Sequence, residues 1–108
     1  MFLSAADEMY QIKYSPGSKD DLRELAYTIA ITYGMPKTAE KYVRELSDKI
    51  LSLSKNPERY AIRTNRSLFQ YGMNVRRVDY KKMAILYTIN GDTVYIHRVI
   101  AGSMITGL

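Results

Sequence analysis

Between Arg59 and Lys82 the chain carries Arg59, Arg63, Arg66, Arg76, Arg77, Lys81 and Lys82 against a single acid, Asp79. Seven cations less one acid give a local net charge of +6, more than the +5 of all 108 residues. Tyr60, Phe69, Tyr71 and Tyr80 are interleaved with them. Cations neutralise phosphates and aromatic rings stack on unpaired bases, so the combination suits single-stranded RNA. An acidic protein segment is an alternative partner, as the pI near 9.5 allows. A plain solvated face, with its aromatics in the core, is the bland one. The candidate residues for binding RNA or a partner are Arg59, Arg63, Arg66, Arg76, Lys81 and, further on, Arg98.

His97, the one histidine, stands beside Arg98 in an apolar run. A lone histidine in a strand is more often structural than catalytic. As a general base it needs a partner in reach, and Arg77 and Tyr87 on neighbouring strands are candidates. No cysteine is present, which excludes disulfides, thiol nucleophiles and zinc clusters built on cysteine. No carboxylate pair at catalytic spacing, glycine-rich phosphate loop or Ser-His-Asp constellation is visible, so the common hydrolytic chemistries are disfavoured. Neither a metal nor another cofactor is implied.

The elements that position these residues follow from two changes of period. Val75 to Ile100 reads as three consecutive strands, with Asn90-Gly91 expected as the central pair of a type I′ turn. Alternation puts Arg77 and Asp79 on the face opposite to Arg76, Val78 and Tyr80, and puts His97 on one face with Tyr95 and Val99. Upstream, Met9 to Tyr14 alternates Tyr10, Ile12 and Tyr14 against Gln11 and Lys13, a half-buried strand. Ser15-Pro16-Gly17 is expected to end it, and Ser18, three residues before Asp21, to open a helix in a capping-box manner. Leu22, Leu25, Ala26, Ile29, Ala30 and Tyr33 form one apolar stripe ending at Gly34. Pro36 opens a second helix, whose stripe runs through Ala39, Tyr42, Val43, Leu46, Ile50 and Leu53 to about Ser54.

With two residues between them, the helices are expected to form a hairpin on one sheet face. The architecture is thus α+β, β-α-α-β-β-β, an antiparallel meander packed against a helical hairpin. Glu58 to Asn74 is left as a loop with one short turn or strand. Residues 9–108 make one domain and 1–8 an N-terminal extension, with Met9 an alternative start. No apolar run approaches the ~20 residues that span a bilayer, and a cytoplasmic setting fits the composition.

This order of elements, with Asn56-Pro57-Glu58-Arg59-Tyr60, then Val75-Arg76-Arg77-Val78-Asp79-Tyr80, Ile85-Leu86-Tyr87 and Val94 to Ile100, resembles the RelE/ParE toxin family of bacterial type II toxin-antitoxin systems. The resemblance covers about Met9 to Ser103. It implies a small toxin neutralised by a cognate antitoxin encoded nearby, with operator DNA bound only through the antitoxin. RelE-like members cut mRNA on the ribosome with cations in place of a metal; ParE-like members inhibit DNA gyrase. Arg77 matches the basic position on the first meander strand and Tyr87 the tyrosine closing the next. Met83-Ala84 stand where relatives show Tyr-Arg, and Ala101 to Ile105 replace a cationic tail. A nuclease would therefore rest on Arg77, Lys82, Tyr87 and His97 in a rearranged site. The other readings are gyrase inhibition and a non-catalytic basic module binding RNA or an acidic protein.

Overall fold

The computed structural model describes residues 9–105; the expectations for the 1–8 extension lie outside that range. Strand β1 (Gln11–Tyr14) leads into helix α1 (Pro16–Tyr27), which widens into a π-helical turn, Thr28–Thr32. Helix α2 (Pro36–Leu51) returns antiparallel and tightens into a 3-10 turn at Ser52–Ser54. Strands β2 (Arg76–Tyr80), β3 (Met83–Asn90) and β4 (Thr93–Ala101) follow. The expected α+β arrangement of a helical hairpin on a four-stranded sheet is present. The sheet, however, has the order β1-β4-β3-β2, and β1 runs parallel to β4. Only β2 to β4 form the antiparallel meander. The hairpin and the loop after it carry the chain across the sheet, so β1 can lie alongside β4, with the final meander turns setting the direction.

Three local expectations need correction. Helix α1 begins at Pro16: the Ser15 hydroxyl caps it, accepting from the Ser18 N–H at 3.0 Å while the Ser18 hydroxyl donates to the Ser15 carbonyl at 2.9 Å. Proline at the first helical position has no N–H to leave unsatisfied, so Ser15-Pro16 opens the helix as well as ending the strand. In the β3–β4 hairpin Asn90 pairs with Thr93, leaving Gly91-Asp92 as the loop, with Gly91 at φ +61°. Glycine in the first of two loop positions is the II′ arrangement, one residue on from the expected I′ pair. Finally, the β3–β4 register shifts between Leu86 and Tyr87, since Leu86 pairs with Arg98 but Tyr87 with Ile96. His97 is the extra residue of this bulge, which puts Tyr95 and Val99 on opposite faces.

The main core lies between hairpin and sheet, where Leu46, Ile50 and Leu53 meet Val78, Ile85, Tyr87, Val94, Ile96 and Val99. A smaller apolar layer covers the outer sheet face: Leu68, Val75 and Leu86 with Tyr71, Ile100 and Ile105. It is roofed by a six-residue 3-10 segment, Arg66–Tyr71, in the expected loop. Both faces of β3 are thus covered, and Ala84, Ile85, Leu86 and Tyr87 are all buried. A strand buried on both sides reads as a continuous apolar run.

Beyond the end of β1, the start of α1 closes the free edge of β4. The Ser15 hydroxyl donates to the His97 carbonyl at 2.8 Å, and Asp21 accepts from Arg98 Nε at 2.7 Å, Arg98 Nη2 at 2.9 Å and the Val99 N–H at 2.9 Å. Hydrogen bonds to a charged group contribute about 1.5–3 kcal/mol when sheltered; Arg98 is 37% exposed and Asp21 10%. Asp21→Ala should therefore lower the unfolding free energy by about 1–3 kcal/mol in urea titration. A change within ~0.5 kcal/mol, usual for surface substitutions, would refute this linkage.

Candidate functional site

The outer sheet face carries Arg77, His97 and Arg98. Arg77 pairs across the ladder with Leu86, and Leu86 with Arg98, so the two arginines flank Leu86 in one row. Neither guanidinium is free. Arg77 Nε donates to Asp79 Oδ1 at 2.7 Å and Nη2 to Oδ2 at 3.2 Å, with the Arg77 side chain 19% exposed. It lies over Gly102 so closely that a Cβ there would stand 2.5 Å from Nη2. Arg98 is held in the same two-pronged way by Asp21, which pushes its pKa further up. Each arginine is thus neutralised by a carboxylate of the chain itself.

His97 projects from the bulge to Thr88, with Nε2 2.8 Å from Thr88 Oγ1 and its ring tilted against Tyr71 at 5.6 Å between centroids. Burial lowers its pKa. A histidine whose folded pKa lies below its unfolded value of about 6.5 stabilises the fold above that pH; this contribution is lost as pH falls through the folded value. Because the chain has one histidine, an NMR titration of its ring should give a midpoint below about 6.5. A midpoint above that value would contradict the sheltered neutral ring.

Tyr87 faces the other way. It pairs with Arg76, sits fully buried against the hairpin, and donates its hydroxyl to the Pro57 carbonyl at 2.6 Å. Burial pushes its pKa up to about 12. Lys82 lies in the exposed β2–β3 turn, where its backbone carbonyl accepts from the Gly102 N–H at 2.8 Å. Of the four residues proposed for catalysis, Arg77 and His97 share the outer face, Tyr87 is on the opposite one, and Lys82 is at the turn. Their side chains do not converge on one surface.

The remaining cations divide by what they hold. Arg76 Nη1 donates to the Glu58 carbonyl at 2.9 Å and the Tyr60 carbonyl at 2.5 Å. Arg59 donates to the Lys55 and Asn56 carbonyls at 2.6 and 2.9 Å and lies over the Tyr60 ring at 4.7 Å. Both therefore clamp the turn around Pro57. Lys81, at φ +52°, sets its ammonium 5.2 Å from the Tyr42 ring and 5.4 Å from that of Tyr80. The Tyr80 hydroxyl donates to the Glu45 carboxylate, which pushes the phenol up to about 12 and is itself held below the usual carboxylate range. Among the described residues, the side chains of Arg63, Arg66 and Lys82 alone of these candidates engage no hydrogen-bond, ion-pair or ring partner.

The neutralising acids were only partly visible in sequence. Asp79, two residues from Arg77 on one strand face, follows from alternation. Asp21 lies 77 residues from Arg98 and carries no local signal. Among the described residues no group of three or more His, Cys, Asp or Glu could hold a metal ion, and no helix is long and apolar enough to cross a membrane.

Residues 12–106 match the family described as the ParE toxin of the type II toxin-antitoxin system, parDE. A chain of the chromosomal ParDE toxin-antitoxin system from P. aeruginosa is similar at TM-score 0.67 and 18% identity, over 86% of this chain and 96% of that one. A chain of the RelBE2 toxin-antitoxin complex from Mycobacterium tuberculosis is similar at TM-score 0.63 and 18% identity, over 87% and 92%. At such identities the likeness speaks for the fold. No curated protein gives a match.

Proposed function

The chain belongs to the ParE toxin family of type II toxin-antitoxin systems, and from that premise we propose that it arrests growth by binding DNA gyrase without cutting RNA, and that a cognate antitoxin neutralises it. The observation that carries the choice of target is the pairing of Arg77 with Asp79 and of Arg98 with Asp21 on the outer face. Cleavage of RNA without a metal needs cations aimed at the charge that develops on the phosphorane. An arginine already held two-pronged by a carboxylate supplies little net charge there, and must first break a charge-assisted pair. Tyr87, on the far face, is out of reach of the same phosphate. Residues 101–108 add no Lys, Arg or His. Growth arrest through a protein target requires only surface complementarity, which these internal pairs leave intact. Both the target and the site of action are then cytoplasmic.

Supercoiling by purified gyrase and translation in vitro with primer extension test this together. The expected result is dose-dependent loss of supercoiling with mRNA left intact, reversed by the product of the neighbouring reading frame. Codon-phased cleavage on the ribosome, lost in Arg77→Ala, would replace this reading with the nuclease one.

A further inference from the structure

The tip of the helical hairpin carries an apolar surface that the chain's own packing leaves open. From Leu25 to Pro36 twelve consecutive residues bear no charge, in a chain of which 25% is charged. Four large side chains of this run are exposed: Tyr27 at 63%, Ile31 at 62%, Tyr33 at 69% and Met35 at 50%. No other stretch of this length gathers as many among the described residues. The tip is also firmly tied. The Tyr33 N–H donates to the Thr28 carbonyl at 3.0 Å across the π-helical turn, and the Met35 N–H donates to the Ile29 carbonyl at 3.0 Å around Gly34, at φ +66°. This closure is one residue wider than the common glycine-ended one, in keeping with the π-helical turn. The open side chains thus stand on a set backbone, and docking them costs little backbone ordering. Turns of this π type gather at functional sites.

The composition of the tip selects its partner. The cores of protein interfaces are depleted of charge and enriched in Tyr and Met, as this run is. Membrane surfaces are met by segments rich in Lys and Arg, and nucleic acids by cations; the run has none. An acidic partner finds nothing here to pair with. In a two-fold contact the same patch serves both subunits, so a charge near the axis stands beside its like. A self-complementary surface is therefore best uncharged. Elsewhere two copies, each at +5, repel one another, which leaves the neutral tip as the place where they can meet. With residue surfaces of about 200 Å², the four exposures leave roughly 500 Å² of open surface per copy. Two copies then bury about 1,000 Å², the lower bound of a specific interface.

We infer that the hairpin tip docks a second copy of this chain, the two joined two-fold through Tyr27, Ile31, Tyr33 and Met35. The inference is independent of what the chain acts on. The test is sedimentation equilibrium and amide NMR of the full chain, diluted from about 1 mM to about 1 μM. The mass is expected to rise with concentration from 12.4 kDa toward twice that value. Half conversion should fall on the order of 100 μM, as suits a contact of minimal area. Amide shifts on dilution are expected from Tyr27 to Met35 and not from Ile62 to Val75. Raising the salt should strengthen the pairing, because salt screens the repulsion between the copies. Ile31→Glu should weaken it about tenfold or more. Tyr33→Ser gives the same readout should Ile31→Glu lower the urea midpoint, and Met73→Glu, at an exposed residue outside the tip, should leave the pairing unchanged. A monomer throughout the range, pairing that salt weakens, pairing untouched by both tip variants, or dilution shifts centred outside the tip would each overturn the inference. A chain that stays monomeric while its tip amides shift on adding phosphatidylglycerol vesicles would give the surface to a lipid instead.

Discussion

Tyr87→Ala should cost about 3–5 kcal/mol of unfolding free energy, and Tyr87→Phe about 1–3 kcal/mol. The first figure is that of removing a large ring from a closed core, and Tyr87 is 0% exposed in the layer formed with Leu46, Ile50 and Leu53. The second is the cost of leaving the Pro57 carbonyl without the donor it now has at 2.6 Å. Against a total stability of about 5–15 kcal/mol, the alanine variant approaches the unfolding threshold at physiological temperature. Alkaline titration gives an independent sign. A phenol pushed from 10 up to about 12 by burial stabilises the fold fully below pH 10, and that contribution is lost as pH rises through 12. Tyr80, raised by Glu45, titrates in the same window, so Tyr87→Phe should lessen the alkaline loss without removing it. Urea midpoints measured beside growth arrest separate core from catalysis. Toxicity should track the folded fraction in both variants, and a Tyr87→Phe protein of wild-type stability that no longer arrests growth would make the hydroxyl a working group.

Which face Tyr87 occupies could not be read from the strand itself. Ala84, Ile85, Leu86 and Tyr87 are all apolar, so β3 lacks the alternation that assigns faces, and it lacks it because the Arg66–Tyr71 segment covers its outer side. The stripe of α2, by contrast, was legible, since one side of that helix packs and the other does not, whereas the stripe of α1 holds for Leu22 and Leu25 but ends on a Tyr33 that is 69% exposed; the opposition of Arg77 and Asp79 to Val78 and Tyr80 was legible too. Errors fell where one residue of register decides the outcome. Asn90 joined the ladder and passed the turn to Gly91-Asp92, and the bulge at His97 broke the parity that alternation assumes. The candidate site suffered more than the fold, because a cation's availability depends on its partner in space. Arg63 and Arg98 look alike in sequence, but Arg98 meets Asp21 across the edge of β4 while Arg63 meets no partner side chain among the described residues.

The hairpin's hold on the sheet gives the other large effect. Leu46→Ala is expected to cost about 2–5 kcal/mol, because Leu46 is 0% exposed at the centre of the main core. Leu51, on the same helix, is 59% exposed, and Leu51→Ala should stay within about 0.5 kcal/mol. The same side chain is truncated in the same helix, with the same small gain in helix propensity. The difference between the two variants therefore isolates burial from every local term. Urea unfolding of the pair measures it directly, with the slope against urea checked to be unchanged so that the midpoints compare like with like. Equal small losses would mean that α2 does not pack through its Ala39 to Leu53 stripe. A large loss at Leu51 in place of Leu46 would mean that the helix presents its other side. Either result would also move Tyr87, since Leu46 and Tyr87 belong to one buried cluster and the face of β3 that carries the phenol is the face the hairpin covers.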